Sequence, residues 1–200
     1  MISSILLAAG QSLRMKGENK LTKEIDGVPL IKYAVKNILG SSVDELIIVV
    51  GHEKEIIEKI IEDNKKIKII YNKNFASGVA SSIKIGLENI SKKSESFFIC
   101  LGNMPDVNQN IYNKLIKSKN NYNKKLNLKH KKEIIIPTFE NQYGNPMLFS
   151  KFMKEKIMKI KGDNDTKEVI QQNKDKILNI PFVQDGILLN FDTEESFTTL

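Results

Sequence analysis

ISSILLAAGQSLRMKGENK, residues 2–20, opens with an apolar run, breaks at small residues, and then sets Arg14, Lys16 and Lys20 on a glycine-containing loop. The run SILLAA (4–9) predicts a buried strand. A strand that feeds a loop of free backbone N–H groups and cations is suited to an anion, most often phosphate. Ala8, Ala9 and Gly10 are small where a backbone must approach a ligand closely. Arg14 offers a rigid fork for phosphate oxygens, and Lys20 a mobile point charge.

The residues beyond this loop repeat its first half. ELIIVV (45–50), IKIIY (67–71) and FFICL (97–101) are near-continuous apolar strands. Between them lie stretches with apolar residues at helical spacing: 29–39, opened by Pro29 and followed by Gly40, then 53–61 with Ile56, Ile57, Ile60 and Ile61 on one face, then 77–87. Buried strands alternating with amphipathic helices mean a parallel sheet covered on both faces, with ligands beyond the carboxyl ends of the strands. That selects the loops at Gly10, Gly51, 72–77 and Gly102. Further on, the sequence predicts a helix over 111–118, a strand over 133–137, a hairpin-like return over 142–149, and helical pieces near 151–160 and 166–172. Two short strands, 177–180 and 186–189, precede an acidic segment at 192–196. No repeat or linker divides the chain, so residues 1–200 read as one three-layer α/β/α domain of Rossmann-like type. Its sheet is mostly parallel, with one antiparallel excursion near 138–149.

Composition narrows the classes. Two hundred residues with 40% apolar and 28% charged residues suit one sizeable domain with a real core. No apolar run approaches the ~20 residues of a membrane helix, and no secretory signal opens the sequence. The single cysteine, Cys100, excludes an internal disulfide and fits a reducing compartment, with the cytoplasm as the default. Much of the net charge of +7 lies in 117–132, KSKNNYNKKLNLKHKK, with seven lysines and no acid. One aromatic, Tyr122, and no arginine accompany them, so a solvated loop is the better reading than a nucleic-acid patch.

The first loop matches neither common phosphate pattern. Gly10 and Gly17 are seven apart, unlike the P-loop spacing, and no G-x-G-x-x-G is present. Its form is L-A-A-G-x-S-x-R-M. Downstream, Asn72 and Asn74 end a strand, and Gly78 with the paired Ser81 and Ser82 opens a helix that Ser77 is placed to cap. His52 and His130 read as loop residues, and Cys100 as core.

Taken together, these stretches resemble the nucleotidyltransferases that activate the molybdenum cofactor, the cytidylyltransferases more than the guanylyltransferases. The resemblance rests on LAAGQSLRM (7–15), Lys20, GVPLI (27–31), NKNFASGVASSIKIGL (72–87), LGNMPDV (101–107), YGNPMLF (143–149), GDNDTKEVI (162–170) and NFDTEESF (190–197). It implies a transfer of a nucleotidyl group, CMP from CTP, to the phosphate of the molybdopterin cofactor, with release of pyrophosphate. Arg14 and Lys20 would be the catalytic charges. Lys16 reads as a one-residue insertion, so the family lysine maps to Lys20, with Lys23 as the neighbouring choice. The nucleotide would lie on Leu7, Ala8, Ala9, Gly10, Gln11 and Ser12, and on Ser77, Gly78, Ser81, Ser82 and Gly102.

The family's metal aspartate in L-x-G-D-M-P is Asn103 here, and its C-terminal D-x-D-T is Asn190, Phe191, Asp192, Thr193. The resemblance thus implies Mg²⁺ at Asn103 and Asp192, although Asp192 also suits a helix cap. The pterin side would fall at Asn145, a histidine in the family, and at Asp163, with Asp165 beside it. A molybdenum hydroxylase would be the client; neither nucleic acid nor membrane is implied. Two other functions suit the same residues. One is transfer to another acceptor, a sugar phosphate or, with GTP, molybdopterin itself. The other is a weakened homologue that binds and carries the cofactor.

Overall fold

The computed structural model describes every residue except 16, 17, 125, 128, 129, 164, 165, 199 and 200. Lys16, Asp165 and two lysines of the basic stretch, Lys125 and Lys129, therefore lie outside the described residues.

In chain order the elements are β1 (Ile2–Ala8), β2 (Glu24–Ile25), β3 (Val28–Pro29), α1 (Leu30–Leu39), β4 (Glu45–Val50), α2 (Lys54–Ile60), β5 (Ile67–Tyr71), α3 (Val79–Asn89) and β6 (Ser96–Leu101). There follow α4 (Gln109–Asn123), β7 (Ile134–Phe139), β8 (Gln142–Tyr143), β9 (Met147–Ser150), α5 (Lys154–Ile157), α6 (Lys167–Gln171), β10 (Ile177–Pro181) and α7 (Glu194–Thr198). The main sheet runs β10–β7–β9–β6–β1–β4–β5, with β8 paired to β7. β1 is parallel to both β4 and β6, and β5 to β4; β9 is antiparallel to β6 and to β7. The sheet is thus mostly parallel, as the apolar runs imply, with β9 inserted antiparallel between β6 and β7 and β8 antiparallel to β7.

Strand alternation sorts the buried side chains into two cores. Leu6, Leu46, Ile48, Val50, Phe98 and Cys100 face α1 and α4 on one side. Ile5, Ile47, Val49, Phe97 and Ile99 face α3, α5 and α6 on the other. Each fully buried Leu, Ile or Phe contributes about 1.5–3 kcal/mol relative to exposure, so both faces are strongly driven to be covered. This gives three layers, α/β/α. The register Ala8↔Val50 and Leu7↔Leu101 brings β1, β4 and β6 to an end at one level, where their loops converge.

Several elements differ from the sequence expectation. α1 begins at Leu30, with Pro29 as its N-cap residue. On α2 only Ile57 is buried, and Ile56 is 46% exposed. α4 runs past Ser118 to Asn123. The first part of the basic stretch is therefore helix, not loop. Lys119 donates to Ser96 Oγ at 2.6 Å, and the Asn123 amide brackets Lys132 from both its nitrogen and its oxygen. Residues 186–189 form no strand. Asp185–Ile187 is a 3-10 turn whose Ile187 carbonyl accepts the Asn145 N–H at 2.9 Å. Ser77 does not cap α3: the residue before the helix is Gly78, and the Ser77 hydroxyl donates to the Asn74 carbonyl instead.

Candidate active site

Beyond Ala8 the chain folds into a stack of turns. Met15 N–H donates to the Ser12 carbonyl, Glu18 N–H to Met15, and Thr22 N–H to Asn19. Met15 is fully buried and plugs the loop from beneath. Ser12 takes a left-handed conformation, φ 51°, and its hydroxyl accepts the Lys20 N–H at 3.1 Å. That bond ties the two ends of the loop together and fixes where Lys20 begins. A Cβ built on Gly10 would meet nothing within 4 Å, so its backbone faces open space.

The opposite wall is made where β5 ends. Asn72 is buried, and its amide donates to Ser81 Oγ at 2.8 Å and Ser82 Oγ at 3.0 Å while accepting the Asn74 N–H. The turn Phe75–Ser77 follows, then Gly78 at φ 103°, ψ 167°. Gly78 lies against the loop that carries Asp163: the Gly162 carbonyl accepts the Ala80 N–H at 3.0 Å. Between the walls is a cleft of about 500 Å³.

At its mouth is an ionic cluster assembled from three distant segments. Lys20 Nζ lies 2.5 Å from Asp192 Oδ1, and Arg14 Nη2 lies 3.0 Å from Asp192 Oδ2. The Asn103 amide donates to Asp192 Oδ1 at 2.8 Å. Phe191, buried, donates its N–H to the Asn103 carbonyl at 2.9 Å and so pins the segment that carries Asp192. Partial burial pushes the Asp192 carboxyl up. The hydrogen bond and charge of Lys20, with Arg14 beside it, outweigh that and hold the carboxyl below its ordinary value of 3.8. Asp192 is therefore the counter-ion of Lys20 and Arg14.

The expected residues divide as follows. Leu7, Ala9, Gly10, Gln11, Ser12, Arg14, Lys20, Gly78, Ser82, Asn103, Asp163 and Asp192 all line the cleft. Ala8 points into the core, and Gly102 is buried against Leu7 and Leu21. Ser77 and Ser81 spend their hydroxyls on the turn itself, next to the Asn74 carbonyl. Asn145 does not line the cleft; its N–H is engaged by Ile187, and it precedes Pro146. Of the two candidate lysines, Lys20 reaches the cleft. Lys23 turns away, 3.9 Å from Glu18 and with its amine over the Phe197 ring. Phe75 and Leu101 also line the cleft and were missed by residue-type reasoning. Phe75 was the legible one, an aromatic residue set among small residues in a turn.

His52 donates its backbone N–H to Ala9, and its ring lies beside Phe75. Burial pushes the Cys100 thiol up to about 11, against hydrogen bonds from Ser4 and Tyr112, which removes it as a nucleophile. No described helix is long and apolar enough to cross a membrane.

A family model described as the MobA-like NTP transferase domain matches residues 4–177. The chain is 29% identical over 185 residues to the bifunctional protein GlmU of Caldicellulosiruptor saccharolyticus, covering 89% of this chain and 36% of that protein. The chain thus spans about a third of that relative. Among solved structures it is similar in fold to Rv0371c from Mycobacterium tuberculosis, with a TM-score of 0.82 at 16% identity over 99% of this chain and 95% of the other. It is also similar to the 4-diphosphocytidyl-2C-methyl-D-erythritol synthase from Anaerococcus prevotii, with a TM-score of 0.74 at 18% identity, covering 99% and 93% of the two chains.

Proposed function

We propose, for a chain that belongs to the MobA-like NTP transferase domain family, that residues 1–200 form one nucleotidyltransferase domain acting on CTP and on a phosphate of the molybdopterin cofactor. The observation that carries this reading is the meeting of Arg14 and Lys20 with Asp192 and Asn103 at the mouth of one cleft, where β1 ends. A phosphate oxygen of the acceptor attacks the α-phosphorus of the nucleotide, a P–O bond forms in line, and the bond to pyrophosphate breaks. Such a transfer needs positioning and charge, and no protein nucleophile. The backbone from Ala9 to Ser12 holds the triphosphate, with Gly10 open for close approach. Lys20 and Arg14 neutralise charge on the α-phosphoryl and the leaving pyrophosphate. Phe75, Gly78 and Ser82 form the wall for base and ribose, and Asp163 lies on the acceptor side.

The donor set fits Mg²⁺ that arrives on phosphate. One carboxylate, Asp192, adjoins one amide, Asn103, and among the described residues no group of three or more His, Cys, Asp or Glu side chains is placed to hold a metal. Mg²⁺ is commonly held by one or two carboxylates plus substrate phosphates. Asn103 and Asp192 would hold it, and it would supply positive charge to offset that of the phosphates.

A second acceptor class is favoured by one observation: Asn145, the pterin-side position, does not line the cleft. A sugar or polyol phosphate suits that geometry, and one fold neighbour is named for a cytidylylated erythritol product. The test is pyrophosphate release with each of the four nucleoside triphosphates against molybdopterin and against sugar and polyol phosphates. Release with CTP and molybdopterin alone supports the first reading, and release with a polyol phosphate alone supports the second. Nucleotide binding without release under any pairing would identify a carrier protein.

A further inference from the structure

Asp192 accepts from three donors. Oδ1 receives Lys20 Nζ at 2.5 Å and the Asn103 amide at 2.8 Å, and Oδ2 receives Arg14 Nη2 at 3.0 Å. Two of these three donors carry full positive charge. The orientation of the Asn103 side chain is dictated, because an ionised carboxylate only accepts, so the amide must present Nδ2 and turn Oδ1 away. Asn103 is almost fully buried, and its carbonyl is held by Phe191 N–H, so the amide and the carboxylate stay in register.

We propose that Asn103 and Asp192 together keep divalent cations out of the nucleotide-free site, so that the metal enters only with the triphosphate. This rests on the nucleotidyltransferase reading for the identity of the ligand that opens the site. A lone dication approaching Asp192 meets two cations and the N–H face of an amide, and has a single carboxylate to offset its dehydration. A triphosphate draws Lys20 and Arg14 onto its own oxygens and frees Asp192. The Asn103 amide, released from donating, then turns half a revolution about its Cβ–Cγ bond and offers Oδ1. A neutral amide serves both states. A carboxylate at position 103 would stand against Asp192 at hydrogen-bond distance, and two carboxylates so placed either take up a proton or bind a cation.

The probe is Mn²⁺, followed by the loss of the free-ion EPR signal, with and without CTP. The natural protein should show no saturable Mn²⁺ uptake below the millimolar range without CTP and clear uptake with it. Asn103→Asp should bind Mn²⁺ alone roughly tenfold or more tightly than the natural protein, as a second hard carboxylate enters the site. In EDTA, Asp192→Asn should bind metal-free CTP roughly tenfold more tightly, because the competing internal anion is gone. Thermal unfolding checks that each variant folds. Should Asn103→Asp fail to fold, Mn²⁺ uptake by the natural protein with and without CTP decides together with the EDTA comparison. Natural protein that binds Mn²⁺ alone as tightly as Asn103→Asp, or an Asp192→Asn variant with unchanged affinity for free CTP, overturns the proposal. If no nucleotide binds to any protein while Mn²⁺ alone separates the two as expected, the nucleotidyl reading falls and the exclusion of metal stands.

Discussion

Replacing Gly78 by alanine should unhook the loop that carries Asp163 from the turn that precedes α3. Gly78 has φ 103° and ψ 167°, a region essentially reserved for glycine. A Cβ there would lie 2.3 Å from the Gly162 carbonyl carbon, 2.4 Å from its oxygen and 2.7 Å from Asp163 N. All three are backbone atoms, so no side-chain rotation relieves the clash. The backbone strain costs about 1–3 kcal/mol. Losing the Ala80 N–H to Gly162 bond adds about 1 kcal/mol. The sum is about 2–4 kcal/mol, and in a chain of this size each kcal/mol lowers Tm by roughly 2–4 °C, so a fall of roughly 5–15 °C is expected. Asp163 should also leave the cleft, so that KM for the acceptor rises more than KM for the nucleotide. Gly10→Ala is the matched control. With nothing within 4 Å of its Cβ, it should leave Tm within about 2 °C and instead weaken nucleotide binding, since the new methyl occupies cleft space. Thermal unfolding by circular dichroism and calorimetric titration with CTP read both effects. A Gly78→Ala protein whose Tm matches the natural one would refute the claim that these two loops are locked by close backbone contact.

Three further outcomes follow from the site. Lys20→Ala should cut nucleotidyl transfer about 10²–10³-fold while leaving the fold intact, the size expected when a charge that stabilises the transition state is removed; unchanged steady-state pyrophosphate release would refute its assignment. Because the folded Asp192 carboxyl lies below its ordinary value of 3.8, its stabilising contribution is complete well above pH 3.8. It should shrink as pH falls from there through the lower native value, so the Tm difference between natural protein and Asp192→Asn should be flat near neutrality and narrow only in acid. With its thiol raised to about 11, Cys100 should resist a thiol reagent at pH 8 in the folded protein and react at once when unfolded; fast labelling of the native chain would contradict its burial.

The sheet was legible because parallel strands buried on both faces must be apolar throughout, as ELIIVV and FFICL are. Segments held by tertiary contacts were not. KSKNNYN, at residues 117–123, has poor helix formers and little apolar spacing, yet α4 runs through it because Lys119 reaches Ser96 and Asn123 braces Lys132. GILL, at 186–189, has strand composition, but its Ile187 carbonyl is taken by Asn145 across the fold. In the site, the loop at 7–20 and the small residues near 78 were readable because their spacing is local. What Asp192 does was not: position 192 meets positions 14, 20 and 103 only once the sheet has formed. The sequence also gave no sign that Asn145 would be spent on a backbone contact.

The carboxylate that balances Arg14 lies 178 residues later in the chain. During synthesis at roughly 5–20 residues per second, about 10–35 s separate the emergence of the two. For that interval the nascent chain presents Arg14 and Lys20 without the Asp192 carboxylate, and a polyanion in the surroundings can take that place. A ribosome stalled before residue 192 would hold a chain with its sheet strands already made and Arg14 and Lys20 still without that carboxylate.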